Sequence, residues 1–126
     1  MAQADLKLAK IGLVQLGVKD LARSVAFYRD QLGLTLQNQF EAFAFFSAGG
    51  VTLMLNQDLA KLSPNIAGAT EIVFSVEDVR AAHEALRARG VQFTVEPRIV
   101  TGAMWAANFN DPDGHHLSVF GPERKT

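Results

Sequence analysis

Glu71, Gln15, His115 and His116 are the side chains here best suited to move a proton or hold a ligand, and each lies on or beside a stretch of alternating hydrophobicity. A carboxylate and an imidazole on neighbouring strands could perform acid–base chemistry, or supply donors to a divalent ion. Four other carboxylates have simpler explanations. Asp20 and Asp78 each precede a helical pattern and fit N-caps. Asp111 and Asp113 belong to the turn Asp111-Pro112-Asp113-Gly114. We assign these four no chemistry. The chain has no Cys, which excludes a thiolate nucleophile, a thiolate metal site and disulfides. It also lacks a phosphate-binding loop, a G-x-S-x-G elbow and a His-Glu-x-x-His zinc motif.

The elements that must position these residues occur twice. LVQLGVKDL at 13–21 is matched by EIVFSVEDV at 71–79, an offset of 58. In each copy an alternating strand runs into an Asp that opens an amphipathic helix, and a glycine (Gly33, Gly90) ends the helix. The first helix runs to about Leu32, with Leu21, Val25, Tyr28 and Leu32 as its buried stripe. The second runs to about Arg89, with Val79, Ala82, Leu86 and His83 turned inward or to the flank. Three strands follow the first helix: 34–40, 42–48 and 51–56, the last two joined by a Gly49-Gly50 turn. After the second helix we expect strands at 91–95 (stopped by Pro97), 104–110 and 116–120. The fold class is α+β: a first βαβββ module at 10–56, a linker at 57–68 and a second module at 69–121, together one domain with a concave, cup-shaped sheet.

A length of 126 residues suits one domain. With 12 Lys+Arg against 13 Asp+Glu, the net charge of −1 offers no basic footprint for nucleic acid or anionic lipid. No apolar run reaches the length of a membrane span, and MAQADLKLAK lacks a signal-peptide core, so a cytoplasmic location is expected. The polar tail GPERKT is expected to fray.

VKDLARSVAFYRDQLGL (18–34) together with FNDPDGHHLSVF (109–120) resembles the vicinal oxygen chelate superfamily of glyoxalases, extradiol dioxygenases, fosfomycin-resistance and bleomycin-resistance proteins. The resemblance covers about residues 10–121. It implies paired βαβββ modules, a homodimer whose concave faces form ligand sites, and a divalent metal held by His, Glu or Gln at four strand positions. Carried over by spacing, those positions are Leu13, Met54, Glu71 and Ser118. Leucine has no donor atom, a thioether is too soft for a hard cation, and a serine hydroxyl is weak. Glu71 alone is competent. A two-residue slip would recruit Gln15, but the Val-x-Asp match in both modules fixes the register against it.

Each remaining candidate has two readings. Glu71, with Val73 and Ser75, is assigned to the concave face, where a partly desolvated carboxylate would suit a general base (our one catalytic candidate) or a cationic contact; alternatively it is a solvated or paired strand-end Glu. His115 occupies the structural position of the D-P-D-G-H pattern. His116 shares parity with Ser118 and Phe120 and either faces the cup or is a hydrogen-bonded structural group. Trp105 and Phe46 are either pocket walls or core, since metal-free members of the family hold drugs between aromatic side chains.

The reading expected from the sequence is a metal-free binder, without cofactor, that sequesters a small apolar or aromatic molecule in a dimeric cleft. Leu13, Met54, Phe46 and Trp105 would give apolar contacts, and Gln15, Glu71, His116 and Ser118 polar ones. The ligand need not be bleomycin, whose positive charge a net −1 does not especially favour. The alternative is a lyase, isomerase or dioxygenase of the glyoxalase type, with a divalent metal on Glu71, Gln15 and His116. A third reading is an accessory module whose pocket is vestigial.

Overall fold

The computed structural model describes residues 7–8, 11–62 and 70–123. The chain runs β1 (Leu13–Gly17), α1 (Leu21–Ala26) continuing into a π-helical turn (Phe27–Gln31), β2 (Thr35–Gln39), β3 (Phe43–Ser47), β4 (Thr52–Asn56) and α2 (Gln57–Leu62). It continues with β5 (Glu71–Ser75), α3 (Val79–Ala88), β6 (Phe93–Thr101), β7 (Met104–Asn110) and β8 (His116–Pro122). Two four-stranded sheets form, ordered β1-β4-β3-β2 and β5-β8-β7-β6. In each, the first strand pairs in parallel with the last and the other pairs are antiparallel. This is a βαβββ unit twice over.

Both helices begin as their capping residues dictate. Asp20 accepts from the Arg23 N–H at 3.2 Å and Asp78 from the Ala81 N–H at 3.1 Å, each satisfying an otherwise free first-turn donor. Gly33 and Gly90, at φ +81° and +94°, take the left-handed conformation that ends a helix without steric cost. Leu21, Val25 and Tyr28 of the expected stripe are buried, while Leu32 is half-buried. His83 also turns inward, its ring edge-on to Phe93 with centroids 4.5 Å apart. The helix-facing sides of both sheets contribute to a single core.

The modules are locked together by the turn at 111–114. Asp113 accepts from the Lys19 N–H (2.9 Å) and the Ser24 hydroxyl (3.2 Å), and Arg23 lies 3.6 Å away. His115 Nε2 donates to the Gly17 carbonyl at 2.7 Å. The Tyr28 hydroxyl donates to Asp111 Oδ2 at 2.9 Å, with both groups buried. Burial, with Asp111 alongside, pushes the Tyr28 phenol well above its ordinary range, so it stays a proton donor. Turn chemistry explains Asp111 and Asp113 only in part, because the two also tie the second module to the start of α1.

Three expectations are corrected. The segment 57–68 begins as a helix: Asn56 Oδ1 accepts from the N–H groups of Asp58 (2.9 Å) and Leu59 (3.1 Å), capping α2. Gly17, lacking a side chain, lets the Ala60 backbone approach closely. Residues 63–68 of that segment lie outside the described residues. Pro97 does not stop its strand. β6 is an edge strand paired only with β7, so a missing N–H on its outer side costs no ladder bond, and register shifts flank the proline. The tail is ordered at its start: Gly121 and Pro122 belong to β8, and Glu123 pairs with Arg80 at 3.2 Å; residues 124–126 lie outside the described residues.

Candidate functional site

Side chains of directly paired residues share a face, so the registers assign every candidate. One row of the first sheet is Gln15, Met54, Phe45 and Asn38; the adjacent rows hold Leu13 with Thr52, and Asn56 with Phe43. This is the open face, opposite the core. Leu13 is 39% exposed on it, and Phe40 stands edge-on to Phe45 with ring centroids 6.1 Å apart. The Gln15 carbonyl accepts from the Asn56 amide at 2.9 Å. The face is apolar and aromatic, with one amide pair at its edge.

The open face of the second sheet is polar. Its rows are Glu71, His116 and Asn110; then Val73, Ser118 and Asn108; then Ser75, Phe120, Ala106 and Arg98. Three of these side chains form a chain of charge-assisted hydrogen bonds. Arg98 Nη1 donates to the Asn108 carbonyl at 2.6 Å and to the backbone carbonyl of Ala106 at 3.0 Å. The Asn108 amide donates to Glu71 Oε2 at 2.8 Å, crossing β8 between Ser118 and His116. Each end fixes one side of the amide, so Asn108 is held with its carbonyl toward the cation and its NH2 toward the anion. Arg98 forms no ion pair with any described carboxylate, and three guanidinium N–H groups remain to be shared with solvent or a ligand. His116 Nδ1 donates to the Asn110 carbonyl at 3.2 Å.

Six of the eight residues singled out from the sequence therefore lie on the open faces: Leu13, Gln15 and Met54 on one sheet, and Glu71, His116 and Ser118 on the other. Two do not. Phe46 pairs with Leu53 and Leu36 on the core side, fully buried, its ring 6.0 Å from that of Tyr28. Trp105 shares the core-side parity of Ala107 and Phe109, and Arg80 of α3 lies over its ring at 5.8 Å. The aromatic rings on the open side are Phe43 and Phe45, with Phe40 beside them, on the first sheet and Phe120 on the second. Glu71 is exposed at the start of β5, not desolvated as expected.

Arg98 was missed because Pro97 appeared to end its strand. Simple alternation would not have revealed it: Val95 and Arg98, three residues apart across a register shift, both lie on the open face, while Glu96 between them turns to His83 of α3. Asn108 was visible as a face assignment, but its bridging role depends on cross-strand partners that a single strand does not show.

The four positions that correspond to metal ligands were tested by their donors. Leu13 and Met54 offer no hard donor, Ser118 offers one buried hydroxyl, and the Glu71 carboxylate is engaged by Asn108. Gln15 lies on the other sheet, with its carbonyl engaged by Asn56. Among the described residues no three or more His, Cys, Asp or Glu side chains cluster as metal ligands would. This donor set does not fit a divalent ion. Among the described residues, too, no helix is long and apolar enough to cross a membrane.

The profile of the "Glyoxalase/Bleomycin resistance protein/Dioxygenase superfamily" matches residues 10–119. The chain is 34% identical to a lactoylglutathione lyase of Haemophilus influenzae over 115 residues, covering 81% of this chain and 84% of the lyase. It is 29% identical to the glutathione transferase FosA of Serratia marcescens over 116 residues, covering 89% and 80%. Among solved structures it is similar to TnmS3, an antibiotic-binding protein from Streptomyces, with a TM-score of 0.77, 21% identity, and coverage of 94% of this chain and 100% of that one.

Proposed function

The chain belongs to the glyoxalase/bleomycin resistance protein/dioxygenase superfamily, and from that premise we propose that it binds a small, largely apolar or aromatic molecule on its open sheet faces without a metal ion. One observation carries the reading. Leu13, Met54 and Ser118 fill three of the four ligand positions, and the fourth, Glu71, is drawn into the Arg98–Asn108–Glu71 chain. A family site that has lost its metal donors but keeps a shaped apolar wall and a fixed polar row is suited to recognition. The apolar body of the ligand would lie against Phe45, Met54 and Leu13, and its hydrogen-bond acceptors would meet Arg98 and Asn108. The solved structure of an antibiotic-binding protein with this fold is consistent with such a use. Leu13 and Val73 are 39% and 50% exposed on these faces, which favours closure by a second copy, so the proposed working form is a homodimer in the cytoplasm.

Similarity to a lyase and a transferase also supports an enzymatic reading in which Glu71 acts as a base. Its cross-strand neighbour is His116, so a carboxylate–imidazole pair exists on one face. The binder reading is favoured because Glu71 is already committed to Asn108.

The test is calorimetric titration of a panel of aromatic antibiotics into chelator-treated protein. A panel member should bind, and both Phe45→Ala and Asn108→Ala should weaken it roughly tenfold or more, by loss of an aromatic contact and of an oriented amide respectively. Binding that requires added metal, or that ignores both substitutions, would overturn the assignment. Trp105 fluorescence is not a suitable readout, because the ring lies on the helix side of its sheet.

A further inference from the structure

A cavity lies on the other side of the second sheet, away from both open faces. It has a volume of about 370 Å³ and is bounded by Leu32 and Leu34 of the first module, by Leu86 of α3, and by Phe74 and Val119 of the second sheet. The residues on its floor belong to the core, yet Leu32, Leu34, Phe74 and Leu86 remain only half-buried because nothing fills the space between them. A volume in the roughly 300–1,000 Å³ range is that of small-ligand sites, well above the voids that ordinary packing leaves.

The cavity has a single charged lining residue among the described residues, Arg89 at the end of α3. No carboxylate of the described residues lines it, and Arg89 forms no ion pair with any of them. Its guanidinium lies against the Gly33 turn: a Cβ at Gly33 would meet Arg89 Nη1 at 2.8 Å, and Gly33 has φ +81°. Reciprocally, Gln31 donates to the Arg89 carbonyl at 3.3 Å. The two helix ends thus brace each other, and the bare glycine leaves room for the cation beside the apolar space.

We propose that this cavity is a second ligand site, for a small apolar molecule carrying one carboxylate, of the size of a medium-chain fatty acid. The chain packs among Leu32, Leu34, Phe74 and Leu86, and the carboxylate meets Arg89. Apolar burial supplies most of the affinity; the exposed cation selects the charge. The proposal does not rest on the open-face reading.

The experiment is a pair of amide-resolved NMR titrations of the full chain, one with sodium octanoate and one with 1-octanol. The expected result is that octanoate shifts the amides of Leu34, Phe74 and Leu86 and binds roughly two- to fivefold more tightly than octanol, as one exposed ion pair allows. Arg89→Gln should bring octanoate to the level of octanol, and Ala85→Trp, which fills the space, should abolish both. Arg89 is exposed, so its variant tests the charge even if the Trp variant does not fold. Equal affinity for acid and alcohol in the parent protein, shifts confined to open-face residues such as Gln15 and Asn108, or no shifts at all would overturn the proposal. The second of these outcomes would leave the open-face site standing.

Discussion

Asp111→Ala is expected to lower the stability of the fold by about 3 kcal/mol, while Asp111→Asn costs much less. The side chain is only 5% exposed and accepts three hydrogen bonds: from the Tyr28 hydroxyl at 2.9 Å, the Asp113 N–H at 2.9 Å and the His115 N–H at 2.8 Å. Alanine leaves all three donors without that acceptor, and the Tyr28 hydroxyl is buried. The effect reaches beyond one turn, because the same segment carries Asp113 onto α1 and His115 onto Gly17 and so holds the modules in register. Asparagine keeps a carbonyl for the two backbone donors and can donate its NH2 to the Tyr28 oxygen.

The two variants also separate charge from hydrogen bonding. Burial raises the Asp111 carboxyl above its ordinary range, and the bonds from the His115 and Asp113 N–H groups and the Tyr28 hydroxyl, with the electrostatic influence of the nearby His115 ring, offset only part of that. The folded state therefore binds this proton more tightly than the unfolded chain does. Its contribution to stability is fully present below the unfolded value, near 3.8, and is lost as pH rises through the folded value. Denaturant melts of the parent and Asp111→Asn across that window should diverge in favour of Asn as pH rises. A constant difference would show that the carboxyl carries no such penalty.

Gly121→Ala should be more damaging still, costing more than about 4 kcal/mol or preventing folding. A Cβ at Gly121 would lie 2.0 Å from the Val76 carbonyl oxygen, a backbone atom that no rotamer change can move. The strands cannot separate there without cost, since the Val76 N–H donates to the Phe120 carbonyl at 3.0 Å. Gly12→Ala is the matched control: nothing lies within 4 Å of its Cβ and its φ is not positive, so the change should stay within about 0.5 kcal/mol. Thermal melts of the two variants settle the point, and equal midpoints would contradict the close approach.

These effects bear on what the sequence makes legible. The caps at Asp20 and Asp78, the stripe from Leu21 to Tyr28 and the glycine helix ends were readable because each rests on local chemistry repeated at a fixed offset. The family resemblance supplied the pairing of two βαβββ modules and the spacing that picks out Leu13, Met54, Glu71 and Ser118, whose open-face placement the strand registers give. What escaped depended on partners distant in sequence. Trp105 and Asn108 alternate along β7 in plain view, but only the pairing of Asn108 with Ser118 shows which of them looks away from the core. Phe46 is core for the same reason, through Leu36 and Leu53. Arg98 was hidden by a proline rule that holds for central strands and lapses at an edge. The Asn56 cap of α2 was local, and was masked by the Ser63-Pro64 and Gly68 that made 57–68 look like a linker throughout.

The central claim is that the open-face site works without a metal ion. Its most direct test is metal content by mass spectrometry after dialysis of the full chain against nickel, zinc, manganese and iron(II) in turn. The account predicts that no ion is retained near one equivalent per chain, with parent and Glu71→Gln behaving alike. Near-stoichiometric retention that Glu71→Gln abolishes would contradict it and return Glu71, with Gln15 and His116, to the role of ligands.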